Sequence, residues 1–286
     1  MPRASYNDRF HQVMLKATAG GGGMGLLICE TEDEVRSSFK GVQARGRALF
    51  KNSGVFIERY YPRSHHIEVQ VFGNGCGTAV SFGERECSIQ RRHQKIIEEC
   101  PSPFVKNRFP DLRSKLTRSA VRFAEHLNYA SAGTIEFLVD DDTGEYFFLE
   151  MNTRLQVEHG ITELCYGVDL VELMYLQADA QLCGRGGIAA CKLQRLQEDC
   201  LEPKGHAIEL RVCAENPARD FVPCSGTLVE VEWHRLPGTR IDTWVRPGIT
   251  ISPNYGKPGL YVGLLQGILT IILIKRPYDC QNYAPL

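Results

Sequence analysis

No CxxC pair occurs among the 11 cysteines of this 286-residue chain, and the cysteines are scattered rather than clustered. That pattern speaks against a disulfide framework or a structural zinc site and for reduced thiols in an intracellular, cytoplasmic protein. Net charge is nearly absent, with 33 basic against 34 acidic residues and a formal balance of -1. No electrostatic reason remains to expect nucleic acid or an anionic membrane surface as a main partner. The opening MPRASYNDRFHQ has no apolar stretch, so no secretory leader is expected there. No apolar run reaches the roughly 20 residues of a membrane span, which makes a membrane partner an unfavoured reading. No GK[ST] follows the glycine run, and GxGxxG of the dinucleotide-binding type does not fit it either. Repeats and low-complexity tracts are missing as well.

The composition that remains is that of a globular protein, 43% hydrophobic and 23% charged, long enough for about two domains. From Phe10 to about Ala180, short apolar runs alternate with amphipathic stretches. The patterning predicts strands over Val13–Ala17, Val55–Arg59 and His66–Phe72. It predicts helices over Thr31–Phe50, Asp111–Leu127 and Asp169–Gln181. Thr134–Val139 and Tyr146–Glu150 read as two strands joined by a DDDTG turn. Gly184–Lys204 reads as a connector. A small β-rich segment follows from Gly205, with strands in IELRVCAE, TLVEVEW and IDTWV. The fold class is therefore α+β. Leu260–Leu273 is almost wholly apolar and reads as a buried strand or helix, as a terminus foreign to the fold, or as a membrane segment.

Three motifs carry chemistry. The first, Lys16-Ala-Thr-Ala-Gly20-Gly-Gly-Gly23-Met-Gly25, follows a strand. Such a loop exposes backbone N–H groups to phosphate oxygens because no Cβ intervenes, and the lysine adds a point charge. A flexible glycine linker would look the same. The second, Glu86-Cys-Ser-Ile-Gln90-Arg-Arg-His93-Gln-Lys95, is an anion site if its cations converge and a solvated charge run if they do not. The third is Phe148-Leu-Glu150-Met-Asn152-Thr-Arg154-Leu-Gln156-Val-Glu158-His159. Alternation puts Glu150, Asn152, Arg154, Gln156 and Glu158 on one face. A carboxylate and an amide two residues apart can share one hard cation, and Glu136 on the preceding strand offers a second carboxylate.

KATAGGGGMG, HHIEVQVFGNG, ERECSIQRRHQKIIEE, GTIEF and FLEMNTRLQVEH, in this order, resemble the biotin carboxylase members of the ATP-grasp superfamily over about residues 13–255. Within that family GGGGMG, ERYYP and IDTWVRPGITISPNY most resemble the urea carboxylase part of urea amidolyase. Acyl-CoA and pyruvate carboxylases share the same half reaction and stay as alternatives. So do a carbamoyl phosphate synthetase-like ligase and a non-catalytic nucleotide-binding fragment.

The resemblance implies an ATP-grasp domain over 1–182, a connector over 183–204, a partial biotin carboxylase C-terminal domain over 205–255 and an atypical apolar tail over 256–286. It implies ATP, Mg²⁺ or Mn²⁺, bicarbonate, and biotin on a carrier domain as cofactors and partners, with a homodimer as a further possibility. ATP would convert bicarbonate to carboxyphosphate, and biotin would take up the carboxyl group. By the same resemblance Lys16, Gly22 and Gly23 meet the ATP phosphates. Glu58, Arg59, Tyr60 and Tyr61 form the adenine hinge, with Arg59 where the family often has lysine. His66, Gln90 and His93 lie near ribose and phosphate. Glu136, Glu150 and Asn152 are the metal ligands. Lys95, Arg154, Gln156 and Val157 line the bicarbonate pocket, Glu158 is its base, and Arg211 faces the biotin enolate. Gly160 stands where the family usually has proline. The domain that the family carries ahead of the phosphate loop and the biotin-carrier lysine have no counterpart in these residues, which predicts a fragment.

Overall fold

The structure is a computed structural model, and it describes residues 12–19, 25–234, 236–251 and 268–276. Gly22 and Gly23 lie outside the described residues, as does the SPNY motif at 252–255. The chain divides into two compact units, one of residues up to 64 with 91–94, the other of residues 65–90 and from 95 onward.

In the smaller unit β1 (Val13–Ala17) lies between β2 (Leu26–Cys29) and β3 (Val55–Arg59), antiparallel to both. Helix α1 (Glu32–Phe50) starts where Thr31 accepts a hydrogen bond from the Glu34 backbone N–H. Glu32, Asp33 and Glu34 in its first turn suit the positive end of the helix dipole. Its buried Val42 packs with Leu15, Ala17 and Cys29.

The larger unit is built on one eight-stranded sheet. Its members are β4 (Ser64–Asn74), β5 (Ala79–Arg91), β6 (Gln94–Cys100), β7 (Ala130–Asp140), β8 (Tyr146–Asn152), β9 (His206–Cys213), β13 (Thr239–Thr243) and β15 (Ile268–Arg276). The order across the sheet is β13-β15-β9-β6-β5-β4-β7-β8. Two-residue ladders join β10 (Glu215–Asn216) to β11 (Val222–Pro223) and β12 (Gly226–Thr227) to β14 (Thr250–Ile251). Five helices complete the unit: α2 (Pro103–Arg108), α3 (Leu112–His126), α4 (His159–Tyr166), α5 (Leu170–Leu182) and α6 (Ala190–Asp199).

Strand alternation divides the residues between two cores. Ile67, Val69 and Val71 of β4, with Ile135, Phe137 and Val139 of β7, pack with Leu112, Leu116 and Ala120 of α3. The intervening residues, His66, Glu68, Gln70, Thr134 and Glu136, therefore point to the other face. Farther along that face lies the second core, of Phe72, Phe82, Ile161, Cys165, Leu170 and Leu193.

Three expectations are corrected. The connector at 183–204 contains α6, whose Leu193 is buried in the second core. TLVEVEW is not a strand: Thr227 pairs with Thr250, Leu228 adds backbone hydrogen bonds with Gly248 and Ile249, and beyond them Val229 is 87% exposed, with no neighbouring strand among the described residues. The strand read at IDTWV lies two residues earlier, over Thr239–Thr243, and stops before Trp244. The apolar run is a strand within the sheet from Ile268, between β13 and β9, with Ile271 and Leu273 buried. Residues on both sides of 182–205 contribute to the larger unit, where β9 pairs with β6. No described helix is long and apolar enough to cross a membrane.

Candidate active site

Lys95, just past the turn of the β5–β6 hairpin, ties together three carboxylates of the larger unit. Its Nζ is 2.7 Å from Glu158 Oε1 and 3.1 Å from Glu136 Oε1, and it also pairs with Glu68. Burial alone would lower the Lys95 pKa, but the charges of Glu158 and Glu136 outweigh it and raise it. Glu158, buried at the entry to α4, is held from its other oxygen by Arg211 of β9, 3.0 Å away. Burial pushes the Glu158 carboxyl up, and the charges of Lys95, Arg211 and Arg85 overcome that and hold it well below the ordinary range. Glu158 is thus an ionised, water-poor carboxylate between two cations.

Beneath it the guanidinium of Arg85 is wholly buried. It donates to Gln70 Oε1 (2.7 Å), Thr162 Oγ1 (3.0 Å), Glu68 Oε2 (3.1 Å) and Gln156 Oε1 (3.2 Å). Gln156 in turn donates to Glu136 Oε1 at 3.0 Å. Because Arg85 fixes Glu68 and Gln156, and these touch Lys95 and Glu136, the polar floor is one connected network.

Toward the sheet edge, Glu136 and Glu150 face each other in register on β7 and β8. Asn152 donates to both, at 2.8 Å and 3.0 Å. Burial raises the Glu136 pKa, and the hydrogen bond to His66 and the charge of Lys95 bring it down to about 2. His66 Nε2 lies 2.7 Å from Glu136 Oε2, and Gln90 reaches the other ring nitrogen at 2.8 Å. Two carboxylates and an amide converge here. With the Asn152 amide turned to present its oxygen, the set would be all oxygen, which fits Mg²⁺ or Mn²⁺ better than a soft metal. His66, Glu68 and Glu136 form a further set whose ligand atoms lie within 4.8 Å of one another.

Not every expected residue joins this cluster. Arg154 is exposed, and its guanidinium donates to the Leu155 carbonyl at 3.3 Å instead of meeting Lys95 or Glu158. The alternation that grouped it with Glu158 fails because β8 ends at Asn152 and the chain then turns. Val157 packs on the second core. In the smaller unit Lys16 of β1 pairs with Glu58 of β3. The Arg59 guanidinium stacks 4.7 Å over the Tyr61 ring, and the Tyr60 N–H donates to the Gln12 carbonyl. His93 and Arg92 make the two-residue turn of the β5–β6 hairpin, both at positive φ (62° and 53°). Two side-chain-bearing residues in a turn that favours Asn-Gly store backbone strain, a mark of functional loops.

Sequence reading did not single out Glu68, Arg85, Glu98 or Glu209. A signal existed in HIEVQV, where His66, Glu68 and Gln70 share one strand face, but alternation does not tell a buried polar face from a solvated one.

Comparisons with known proteins give the family and the fold. The family described as carbamoyl-phosphate synthase L chain, ATP binding domain, matches residues 6–182, and the biotin carboxylase C-terminal domain family matches residues 209–257. An Emericella nidulans protein named "Putative urea carboxylase" is 70% identical over 243 residues, 85% of this chain and 19% of that protein. The urea amidolyase of Saccharomyces cerevisiae is 42% identical over 245 residues, 86% of this chain and 12% of that one. The biotin carboxylase domain of Hydrogenobacter thermophilus 2-oxoglutarate carboxylase is a dimer in complex with MgADP, ADP and bicarbonate. It superposes with a TM-score of 0.80 at 33% identity, covering 94% of this chain and 54% of that chain. The chain thus spans less than a fifth of the two fungal relatives and about half of this solved domain.

Proposed function

The chain belongs to the biotin carboxylase family of ATP-grasp proteins, and on that premise we propose that it is the part of a urea carboxylase-like enzyme that carboxylates biotin with bicarbonate at the expense of ATP. The observation that carries this is the clamp on Glu158. A buried carboxylate kept ionised between Lys95 and Arg211 is a ready proton acceptor for a small anionic acid.

Bicarbonate entering beside Lys95 would draw the ammonium toward itself. Relieved of that charge, Glu158 would become more basic at the moment it is needed. Arg211 would then hold the charge that develops on the acceptor, and Gln156 would orient the anion. Glu136, Glu150 and Asn152 would hold Mg²⁺ or Mn²⁺, which offsets phosphate charge when bound. In the smaller unit Lys16 would meet phosphate, and the strip Glu58 to Tyr61 would meet the base. Arg154, exposed at the rim, would complete the pocket only with substrate present. The domain expectations at 1–182 and 205–255 stand as part of this proposal, as do the biotin carrier and a homodimer.

The urea-specific reading is supported by the 70% identity to the Emericella nidulans protein. The test is ATP-dependent fixation of labelled bicarbonate into free biotin by the full-length protein, followed by transfer to urea. Fixation without transfer to urea would keep the carboxylase and redirect the acceptor. No fixation would end the proposal.

A further inference from the structure

Two buried carboxylates have no part in the reaction proposed above. Glu98 and Glu209 face each other directly across β6 and β9. Both are fully buried; among the described residues Glu209 has no hydrogen-bond donor on either oxygen, and Glu98 meets only the Arg211 guanidinium. Arg211 is their nearest cation, with one nitrogen 2.6 Å from Glu98 Oε1 and Nε 3.9 Å from Glu209 Oε1. The other charged and titratable groups around them are Arg85 and Cys87 from β5, Lys95 from β6, and Glu158 before α4.

Charge does not balance around Arg211. Glu98, Glu158 and Glu209 all face this one guanidinium. Lys95 answers Glu158, which leaves Glu98 and Glu209 a single cation between them. An uncompensated buried carboxylate is too costly to persist, and of two facing acids one keeps its proton.

We propose that Glu209 is a neutral carboxylic acid in the working protein and Glu98 carries the pair's single charge, the two acting as a positioning pair that aims Arg211 at Glu158. This rests on Arg211 being a substrate-facing group, as proposed above. The titration directions agree. Burial, with the Glu98 charge added, pushes Glu209 well above the ordinary carboxylate range. Burial also raises Glu98, but Arg211 pulls it back to about 7. Protonation of Glu98 removes the charge that aims Arg211, so turnover falls as pH drops through about 7.

The test uses Glu209→Gln and Glu98→Gln in the full-length protein. An amide mimics a neutral acid. Glu209→Gln should therefore keep kcat within about twofold and leave the acid limb of the pH profile in place. Glu98→Gln should lower kcat by about tenfold or more, flatten that limb and leave the KM for ATP unchanged. Infrared difference spectra at pH 8 should show the carbonyl stretch of a protonated carboxyl group in the wild type but not in Glu209→Gln. This arm needs no turnover, so it stands apart from the biotin carboxylation reading. The proposal is overturned if the stretch survives in Glu209→Gln or is missing from the wild type. It is equally overturned if Glu209→Gln fails to fold or loses as much activity as Glu98→Gln.

Discussion

Lys95 Nζ and Glu158 Oε1 lie 2.7 Å apart, each almost closed to water. Two further carboxylates, Glu68 and Glu136, share the same ammonium. Removing the cation should therefore cost more than one ion pair. Lys95→Met is expected to destabilise the protein by about 3–5 kcal/mol, because it strands buried charge. Urea unfolding measures it. A loss under about 1 kcal/mol would mean that these carboxylates find other compensation.

The two buried acids around Arg211 should act oppositely on stability. Glu158 is depressed in the folded state, so its stabilisation is present above the ordinary carboxylate value of about 4.3 and is lost as pH falls below it. Glu98 is raised to about 7, so its contribution is present below about 4.3 and is lost as pH rises toward 7. Between pH 5 and 7, Glu98→Gln should flatten the decline of stability with pH, whereas Glu158→Gln should change the acid side. Thermal unfolding of both variants across pH checks the signs.

Mg²⁺ dependence should follow Glu136, Glu150 and Asn152. Glu150→Gln is expected to raise the Mg²⁺ concentration needed for half-maximal ATP turnover by about tenfold, while folding stays intact because Glu150 is largely exposed. An unchanged Mg²⁺ requirement would place the cation elsewhere.

Gly160 tests the placement of the apolar strand. A Cβ there would come within 2.5 Å of Leu273 Cδ2. Gly160→Ala should destabilise by about 1–3 kcal/mol through overpacking. Leu273→Ala, though costly alone, should remove that penalty in the double variant. Additive losses would show that β15 does not pack on α4 in this way.

Much of this was legible in the sequence, and the exceptions have physical causes. β1 and β3 fall on the residues that patterning indicates, and α1 begins one residue inside its Thr31 cap. Helix α6 was hidden because its apolar stripe is short, with Leu193 and Leu196 meeting the core from a ten-residue, otherwise polar segment. TLVEVEW alternates like a strand but pairs with no described strand beyond Leu228. The run around Ile268–Arg276 lacked alternation, and a strand between two others can be apolar throughout. Spacing in the EMNTRLQVEH string grouped Glu158 with Arg154, and the turn after Asn152 separates them. Nothing in IIEE distinguishes Glu98, wholly buried, from its neighbour Glu99, which is only partly so. Both pair with β9, and they differ because adjacent strand residues point to opposite faces of the sheet.

The most direct measurement is ADP release by the full-length protein at saturating MgATP and free biotin, with and without bicarbonate, for wild type and Glu158→Gln. If Glu158 is the base, wild-type release depends on bicarbonate. The variant should then lose that release by about 10²-fold or more while binding ATP within about threefold of wild type. Bicarbonate-dependent release that survives in Glu158→Gln, or a variant whose main defect is ATP affinity, would contradict it.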